Sequence, residues 1–203
     1  MSSAERTKLM IAEQLQEMLK TMELDKVRVT ELCRRCGITT QLFYYHFRDK
    51  YELVAWVFLY DCAGRPNESI PGHSYDSFYT VFERVERRKA FYRKVFRDTS
   101  QNSIVWYIQK FNVHISVESF KRANNGQAPS NEQMLEILYF SYGMIGTFLH
   151  WLYGELDVTA SDVARFHYEK APEFLRSALL KYSFSRDEVL AMSTIQLRTA
   201  EGY

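Results

Sequence analysis

Four polar side chains that follow a single glycine have the chemistry and the spacing to read the edge of a DNA base. They lie in the run Gly37-Ile-Thr-Thr-Gln-Leu-Phe-Tyr-Tyr-His-Phe47, and helical spacing turns one side of that run outward: Thr40, Gln41, Tyr44 and Tyr45. Glutamine pairs bidentately with adenine, threonine contacts a base or a thymine methyl group, and a tyrosine hydroxyl binds phosphate. The combination predicts a helix that enters the major groove of DNA.

Two short helices joined by a glycine turn must position these side chains. The pattern predicts a helix that follows Val29 and ends before Gly37, with Thr30 as its cap, and a second helix from about Thr40 to Phe47. The apolar side chains of the pair are expected to face a small core against the first helix: Leu32, Phe43 and Phe47. In such a helix-turn-helix the second helix projects from the domain, which suits the major groove.

The charge of this segment is locally positive in a chain that is nearly neutral. Residues 26–50 hold six Lys or Arg against two acidic residues, whereas the whole chain of 203 residues has a net charge of +1. The overall charge excludes a polycation that binds nucleic acid through bulk charge alone. Asp49 is predicted to cap a fourth helix that continues to about Cys62, so Lys50 lies at a helix N-terminus, where a phosphate is favoured.

The helix-turn-helix segment resembles the TetR family of bacterial transcription regulators. Nine residues match the family pattern in order: Gly37, Ile38, Thr39, Phe43, Tyr44, His46, Phe47, Lys50 and Leu53. The resemblance covers about residues 5–63 and implies an all-helical homodimer that binds a palindromic operator in double-stranded DNA. It also implies a C-terminal domain that binds a small-molecule effector, with the last two long helices forming the dimer bundle.

Carried over by position, the resemblance implies a DNA-binding role for eight residues of this chain. Phosphate contacts fall on Thr30, Tyr44, His46 and Lys50, and base-facing positions fall on Thr40, Gln41 and Tyr45. Thr39 is expected to cap the recognition helix and to contact phosphate. For His46 a position in the core is the alternative, and the DNA-proximal role is favoured because the residue lies inside the motif. Gln41 stands where the family often has a small residue, so no known operator transfers.

Helical periodicity continues along nearly the whole chain, which predicts an all-α protein. The other expected helices cover residues 5–22, 75–87, 89–97, 103–122, 131–153 and 161–182, with Pro172 kinking or splitting the last, and a weak final helix opens at Ser185. The stretch 64–72, rich in glycine and proline, is the best internal boundary. We therefore predict a three-helix DNA-binding domain over residues 1–63, which helix four links to a helical effector-binding and dimerisation domain over 64–184, and a tail over 185–203.

The C-terminal region is similar to the branch of the family typified by regulators of dihydroxyacetone-kinase operons. The similarity rests on Ala90–Lys94, Ser100–Ser103, Phe140–Gly146 and Trp151. A repressor is the favoured interpretation, because repression is the usual outcome in the family, and an activator of this branch is the alternative. A module that binds a ligand or a partner but does not read DNA is a further alternative.

The aromatic side chains of the C-terminal region are expected to be mostly core, with a subset that lines an effector pocket. The candidates for that pocket are Tyr107, Phe111, His114, Tyr139, Tyr142 and Trp151. Residues 137–154 carry no Asp, Glu, Lys or Arg, which indicates a buried central helix and, as the less favoured alternative, a membrane span. One face of that helix is expected to meet another subunit.

The remaining candidates are interpreted as structural. Residues 84–97 hold seven basic residues and one acid, and a solvated helix surface is favoured over contact with DNA or an anionic effector. Cys33 and Cys36 are interpreted as packing, because no second ligand pair accompanies them. No paired carboxylates, nucleophile elbow, phosphate-binding loop or metal cluster stand out, so we expect no enzyme activity, metal or cofactor. Three cysteines and the absence of a signal peptide favour a bacterial cytoplasm, without membrane association.

Overall fold

The computed structural model describes residues 2–63, 75–97, 103–181 and 184–191. Within these ranges all regular secondary structure is helical, which confirms the all-α prediction. A 3-10 helix, Leu24–Lys26, separates the first two of these α-helices: α1 Ser3–Leu19, α2 Val29–Cys36, α3 Thr40–His46, α4 Lys50–Ala63, α5 Tyr75–Arg87, α6 Lys89–Phe96, α7 Ile104–Ala123, α8 Asn131–Tyr153, α9 Ala160–Lys170 and α10 Glu173–Lys181. The boundary at 64–72 and the tail beyond residue 191 lie outside the described residues, so the domain limits stay a prediction.

The N-terminal helices close a small core around α1. Ile11, Leu15 and Met18 are at most 1 % exposed and form the expected apolar stripe of α1. The helix ends at Leu19, earlier than expected. Beyond it the N–H groups of Lys20 and Thr21 donate to carbonyls three residues before, those of Glu17 and Met18. Leu32 of α2 packs into the same core, so α1 supports the helix-turn-helix as predicted.

Gly37 allows the sharp turn between α2 and α3. Its φ of 65° lies in the left-handed region, which costs a residue with a Cβ roughly 1–2 kcal/mol. In this conformation the N–H groups of Gly37 and Ile38 donate to carbonyls in the last turn of α2, at 3.2 and 3.0 Å. The turn therefore satisfies the end of α2 while it redirects the chain into α3.

Side-chain caps start several of the helices. Reciprocal capping boxes open α8 at Ser130 and α9 at Thr159. Ser185 exchanges the same pair of bonds with Glu188, and residues 186–191 are helical as predicted. The prediction that Thr30 caps α2 is wrong, because that helix begins one residue earlier and Thr30 lies inside its first turn.

Pro172 divides the last long helical segment, as predicted. Helix α9 ends at Lys170 and α10 begins at Glu173. Proline has no N–H to donate and its ring clashes with the preceding turn, so one helix cannot run through it. The break allows α9 to pack on α5 and α10 to pack on α7.

Helix α8 has one buried and one exposed face. The buried face consists of Ile137, Ser141, Ile145, Phe148, Trp151 and Leu152. On the opposite face Leu135, Tyr139 and Tyr142 are 68, 84 and 57 % exposed. Among the residues that the structure describes, the segment 137–154 is therefore packed on one side only. Across the described residues, no helix has the length together with the hydropathy that crossing a membrane requires.

Basic side chains of the segment 84–97 bind the C-terminal ends of three other helices. Its side chains donate to carbonyls of terminal turns: Lys94 Nζ to Leu19 O (2.7 Å), Arg84 Nη1 to Asp61 O and Cys62 O (3.0 Å each), and Arg93 Nε to Leu152 O (2.6 Å). Cations are favoured there, because the carbonyl end of a helix carries partial negative charge. Arg88 adds an ion pair with Asp61. The interpretation as a solvated surface is therefore wrong for these four half-buried residues.

Lys94→Met should destabilise the protein, because it removes a charged donor from the C-terminus of α1 while it keeps the aliphatic stem. We expect the free energy of unfolding in urea to fall by about 1–2 kcal/mol. Arg87→Met is the matched control: Arg87 is 71 % exposed and, among the described residues, pairs with Glu83 on its own helix, so we expect less than about 0.5 kcal/mol. Equal losses in the two variants would contradict the capping role.

Candidate nucleic-acid interface

Two buried rings and one cap fix the short helix α3. Phe43 and Phe47 are 0 % exposed, and Phe47 packs edge-on against Trp56 of α4, with ring centres 5.9 Å apart. Thr39 accepts a hydrogen bond from the Leu42 N–H at 3.1 Å, which confirms it as the predicted cap. These contacts determine where α3 points.

The other side of α3 presents four polar side chains to solvent. Thr40 and Gln41 are exposed, and Tyr44 and Tyr45 are 52 and 75 % exposed. Tyr44 is braced edge-on against the Phe43 ring, with centres 5.4 Å apart. The predicted outward orientation of the four residues is confirmed. Their contacts with DNA stay a prediction.

His46 lies beneath this face. Its ring is 6 % exposed and meets Tyr45 edge-on with ring centres 5.0 Å apart. Burial, and secondly the Lys8 ammonium, lower the pKa of His46, so the imidazole is neutral at neutral pH. The ring is buried because one step of about 100° along the helix carries the chain from exposed Tyr45 to the inner side. A contact between His46 and DNA stays a prediction.

Two carboxylates, those of Asp49 and Glu52, accept hydrogen bonds from backbone N–H groups at the start of α4. Oδ1 of Asp49 accepts from the N–H groups of Tyr51 and Glu52, at 2.8 Å each, which confirms Asp49 as the cap. The carboxylate of Glu52 accepts from the Arg48 N–H. The chain between α3 and α4 is therefore short and held by three hydrogen bonds.

Lys50 joins α4 to the beginning of the helix-turn-helix. Its Nζ donates to the carbonyl of Asp25 in the 3-10 helix at 2.8 Å, and to that of Val27, between the 3-10 helix and α2, at 3.0 Å. In this arrangement the ammonium helps to orient α2, whose first turn carries the exposed Thr30. The phosphate contacts of Lys50 and Thr30 stay predictions.

Models of known families match both parts of the chain. The model described as bacterial regulatory proteins, tetR family, matches residues 18–57, and a second TetR model, described as transcriptional regulator C-terminal region, matches residues 72–169. Together they match more than half of the chain. The protein belongs to the TetR family. As a TetR regulator it binds DNA and regulates transcription, and it is not an enzyme.

Two solved structures are similar to this TetR regulator over most of both chains. The dihydroxyacetone kinase operon activator DhaS is 12 % identical, with a TM-score of 0.48, and the alignment covers 87 % of this chain and 97 % of that one. A TetR transcriptional regulator from Rhodococcus sp. RHA1 is 19 % identical, with a TM-score of 0.46 and coverage of 86 % and 97 %. Both TM-scores lie below 0.5, so neither supports comparison residue by residue. No curated protein matches the sequence.

Arg48 connects the end of α3 to α7, a contact that the TetR sequence pattern does not reveal. Its Nη2 donates to the Tyr107 hydroxyl at 2.9 Å, and its guanidinium lies 5.9 Å from the ring centre of Trp106. Tyr107 is 2 % exposed, and burial raises its pKa, so the hydroxyl stays protonated. No spacing rule joins residues 59 positions apart, which is why sequence reasoning missed Arg48.

The structure does not bring the six effector candidates of this TetR regulator together. Tyr107 belongs to the Arg48 contact, and Phe111 and Trp151 are buried. His114 is half-buried. Tyr139 and Tyr142 lie on the exposed face of α8, which turns them away from the core that holds Trp151. An effector contact by any of the six stays a prediction.

The cysteine pair of α2 is placed as expected for packing. Cys33 is buried and Cys36 half-buried, and both are free thiols. Burial raises the pKa of each thiol, which disfavours the thiolate that metal binding and redox chemistry require. In the part of the chain that the structure describes, no group of three or more His, Cys, Asp or Glu side chains is arranged for a metal ion.

Tyr107→Phe should weaken DNA binding without changing its salt dependence. The substitution removes the acceptor for Arg48 but keeps the buried ring, so α3 is held less firmly while no phosphate contact is lost. We expect about a fivefold loss of affinity, or roughly 1 kcal/mol, and an unchanged slope of log affinity against log salt in fluorescence anisotropy. Tyr79→Phe is the control. A slope lowered by about one, or an unaltered affinity, would contradict a positioning role.

Proposed function

We propose that this regulator is a homodimer that binds a palindromic operator sequence-specifically, acts as a repressor in the bacterial cytoplasm, and releases DNA when a small-molecule effector binds. The observation that carries the proposal is the outward polar face of α3, which is backed by the buried rings of Phe43 and Phe47. A helix with one face locked in its own domain and hydrogen-bonding groups on the other is suited to the major groove.

In this proposal the exposed residues divide between bases and the DNA backbone. Thr40, Gln41 and Tyr45 contact base edges, and Thr30, Thr39, Tyr44 and Lys50 contact phosphates. Gln41 discriminates most strongly, because its amide both donates and accepts and can pair with adenine at two atoms. His46 is left out of the set, because its ring is buried.

The exposed face of α8 supports the homodimer. Leu135, Tyr139 and Tyr142 are spaced by three or four residues, and Gly143 and Gly146 continue the same side of the helix. A Cβ added to either glycine would meet no atom within 4 Å, so another backbone can approach closely. A second α8 related by a two-fold axis covers this apolar face with its own copy, as closed symmetry requires.

Effector control follows from the spacing of the two recognition helices. They must lie about 34–36 Å apart to enter successive major grooves, and an effector that prefers another spacing weakens DNA binding by its difference in affinity for the two conformations. The Arg48–Tyr107 hydrogen bond supports this mechanism, because it joins the segment between α3 and α4 to α7.

Activation is the alternative to repression, on the similarity of Phe140–Gly146 and Trp151 to regulators of dihydroxyacetone-kinase operons. Transcription in vitro from the gene's own upstream region, with and without the protein, distinguishes the two. A fall in transcript supports repression, and a rise supports activation.

Gln41→Ala and Lys50→Ala should affect DNA binding differently. Gln41→Ala changes the preferred base at one operator position and costs about 1–3 kcal/mol on the original sequence, because it removes a base contact. Lys50→Ala weakens all sequences alike and lowers the salt slope by about one. Anisotropy against the upstream DNA and its single-base variants measures both effects. Equal affinity of the wild-type protein for scrambled DNA would contradict sequence-specific binding, and an unchanged slope would assign Lys50 to its carbonyl bonds alone.

Tyr139→Glu should dissociate the dimer, because it buries a carboxylate without a partner in the centre of the α8 face. We expect the dimer dissociation constant in sedimentation equilibrium to rise at least about tenfold. Met10→Glu introduces the same charge at a site that is 38 % exposed on α1 and serves as the control. A monomeric wild-type protein, or a variant that stays dimeric, would exclude this face.

A further inference from the structure

Four buried aromatic residues from three helices form a cluster around Phe82. The centre of the Phe82 ring lies 5.2 Å from those of Trp151 and His167 and 5.9 Å from that of Phe148. None of the four is more than 5 % exposed. These residues, here called the Phe82 cluster, come from α5, α8 and α9.

Two polar atoms of the Phe82 cluster have no hydrogen-bond partner in the described structure. They are Nε1 of Trp151 and Nδ1 of His167, and both are buried. Roughly 90 % of buried polar groups in proteins are bonded, because an unbonded one loses its hydration without compensation. Two such atoms around one ring point to a bound molecule that supplies both partners.

The Thr147 hydroxyl determines which partner His167 needs. Oγ1 of Thr147 lies 2.8 Å from the Gly143 carbonyl, which can only accept, so the hydroxyl proton is used in that bond. The contact of 2.7 Å between Oγ1 and Nε2 of His167 then requires Nε2 to donate. Burial lowers the pKa of His167 to about 4, so the ring is neutral and Nδ1 is an acceptor that needs a donor.

Trp151 needs a hydrogen-bond acceptor, because an indole N–H can only donate. Thr147 and Trp151 are one helical turn apart on α8, so the His167 ring bonded to Thr147 and the indole lie on the same side of that helix. Lys89 Nζ lies 4.6 Å from the centre of the Trp151 ring and adds a positive charge beside the cluster. The two atoms together require a group that donates to one and accepts from the other.

A hydroxyl group both donates and accepts, so it carries each of the two functions that these atoms require. It donates its proton to Nδ1 of His167 and accepts from Nε1 of Trp151. A carboxylate cannot donate to Nδ1, and an ammonium group cannot accept from Trp151 and is repelled by Lys89. The surrounding phenylalanine rings favour an aromatic body, which packs edge-to-face against them.

We propose that the Phe82 cluster is the effector site and that it binds a small, uncharged aromatic molecule that carries a hydroxyl group. This inference rests on the proposed effector control and adds the class of ligand. Helices α5, α8 and α9 all contribute to the cluster, and α8 also carries the exposed face assigned to the dimer. Ligand binding therefore acts on the helix that sets the spacing of the two subunits.

Calorimetric titration of the full chain with phenol, toluene, benzoate and benzylammonium tests the ligand class. We expect phenol to bind with a Kd on the order of 0.1–1 mM, within the limit for so small a ligand. It should bind at least about tenfold more tightly than each of the others, because only phenol carries an uncharged group that both donates and accepts. No binding of phenol, or equal binding of phenol and toluene, would overturn the proposal and leave a buried water as the partner of both atoms.

Trp151→Phe and His167→Phe test the two hydrogen bonds separately. Each substitution removes one polar atom and keeps an aromatic ring, so the affinity for phenol should fall about tenfold while that for toluene is unchanged. Trp106→Phe, outside the cluster, is the matched control and should bind phenol like the wild type. Thermal unfolding shows that each variant folds, and if one does not, the series of probes on the wild-type protein still decides the question.

Operator binding in the presence of phenol separates this inference from the proposed function. Release of DNA by phenol supports both the effector site and the proposed control of DNA binding by an effector. Phenol binding that leaves DNA affinity unchanged would contradict the assignment as effector site. Specific DNA binding by a protein that binds none of the probes would overturn the ligand site and leave the regulator standing.

Discussion

The burial of Phe43 and Phe47 is the interaction on which the DNA-binding part of the molecule depends. Helix α3 has seven residues, and a helix that short is unstable in water because nucleation costs more than so few hydrogen bonds return. Both rings are fully buried, and the helices around them provide the surface against which they pack. Since burial on one side holds α3, its other side is free to be polar.

Three basic side chains join helices to one another in this protein. Lys94, Arg84 and Arg93 each donate to the carbonyl end of a different helix, where the partial negative charge of the terminus favours them. The nearly neutral net charge is therefore compatible with DNA binding. Positive charge is concentrated where it either joins helices or accompanies the recognition helix, and the rest of the surface balances it.

Predictions from the sequence succeeded where one helical segment contains the whole pattern. The orientation of Tyr44 and Tyr45, the cap at Thr39 and the break at Pro172 each depend on residues within a turn or two. The cap at Thr30 failed because α2 already begins at Val29, after Arg28, which makes no side-chain cap bond. The burial of His46 did not follow from the motif, since a motif gives the type of residue and not its depth below the surface.

The amino-acid sequence by itself determined the all-helical class, the helix-turn-helix and its polar face, because helical period, turn glycine and caps act over a few neighbouring residues. Only the tertiary structure decided the Arg48–Tyr107 hydrogen bond and the bonds from the basic segment to helix ends. It also decided that Trp151 and His167 both pack against Phe82. These contacts join residues that are far apart along the chain. They exist because packing of whole helices brings the residues together, and no local pattern encodes that packing.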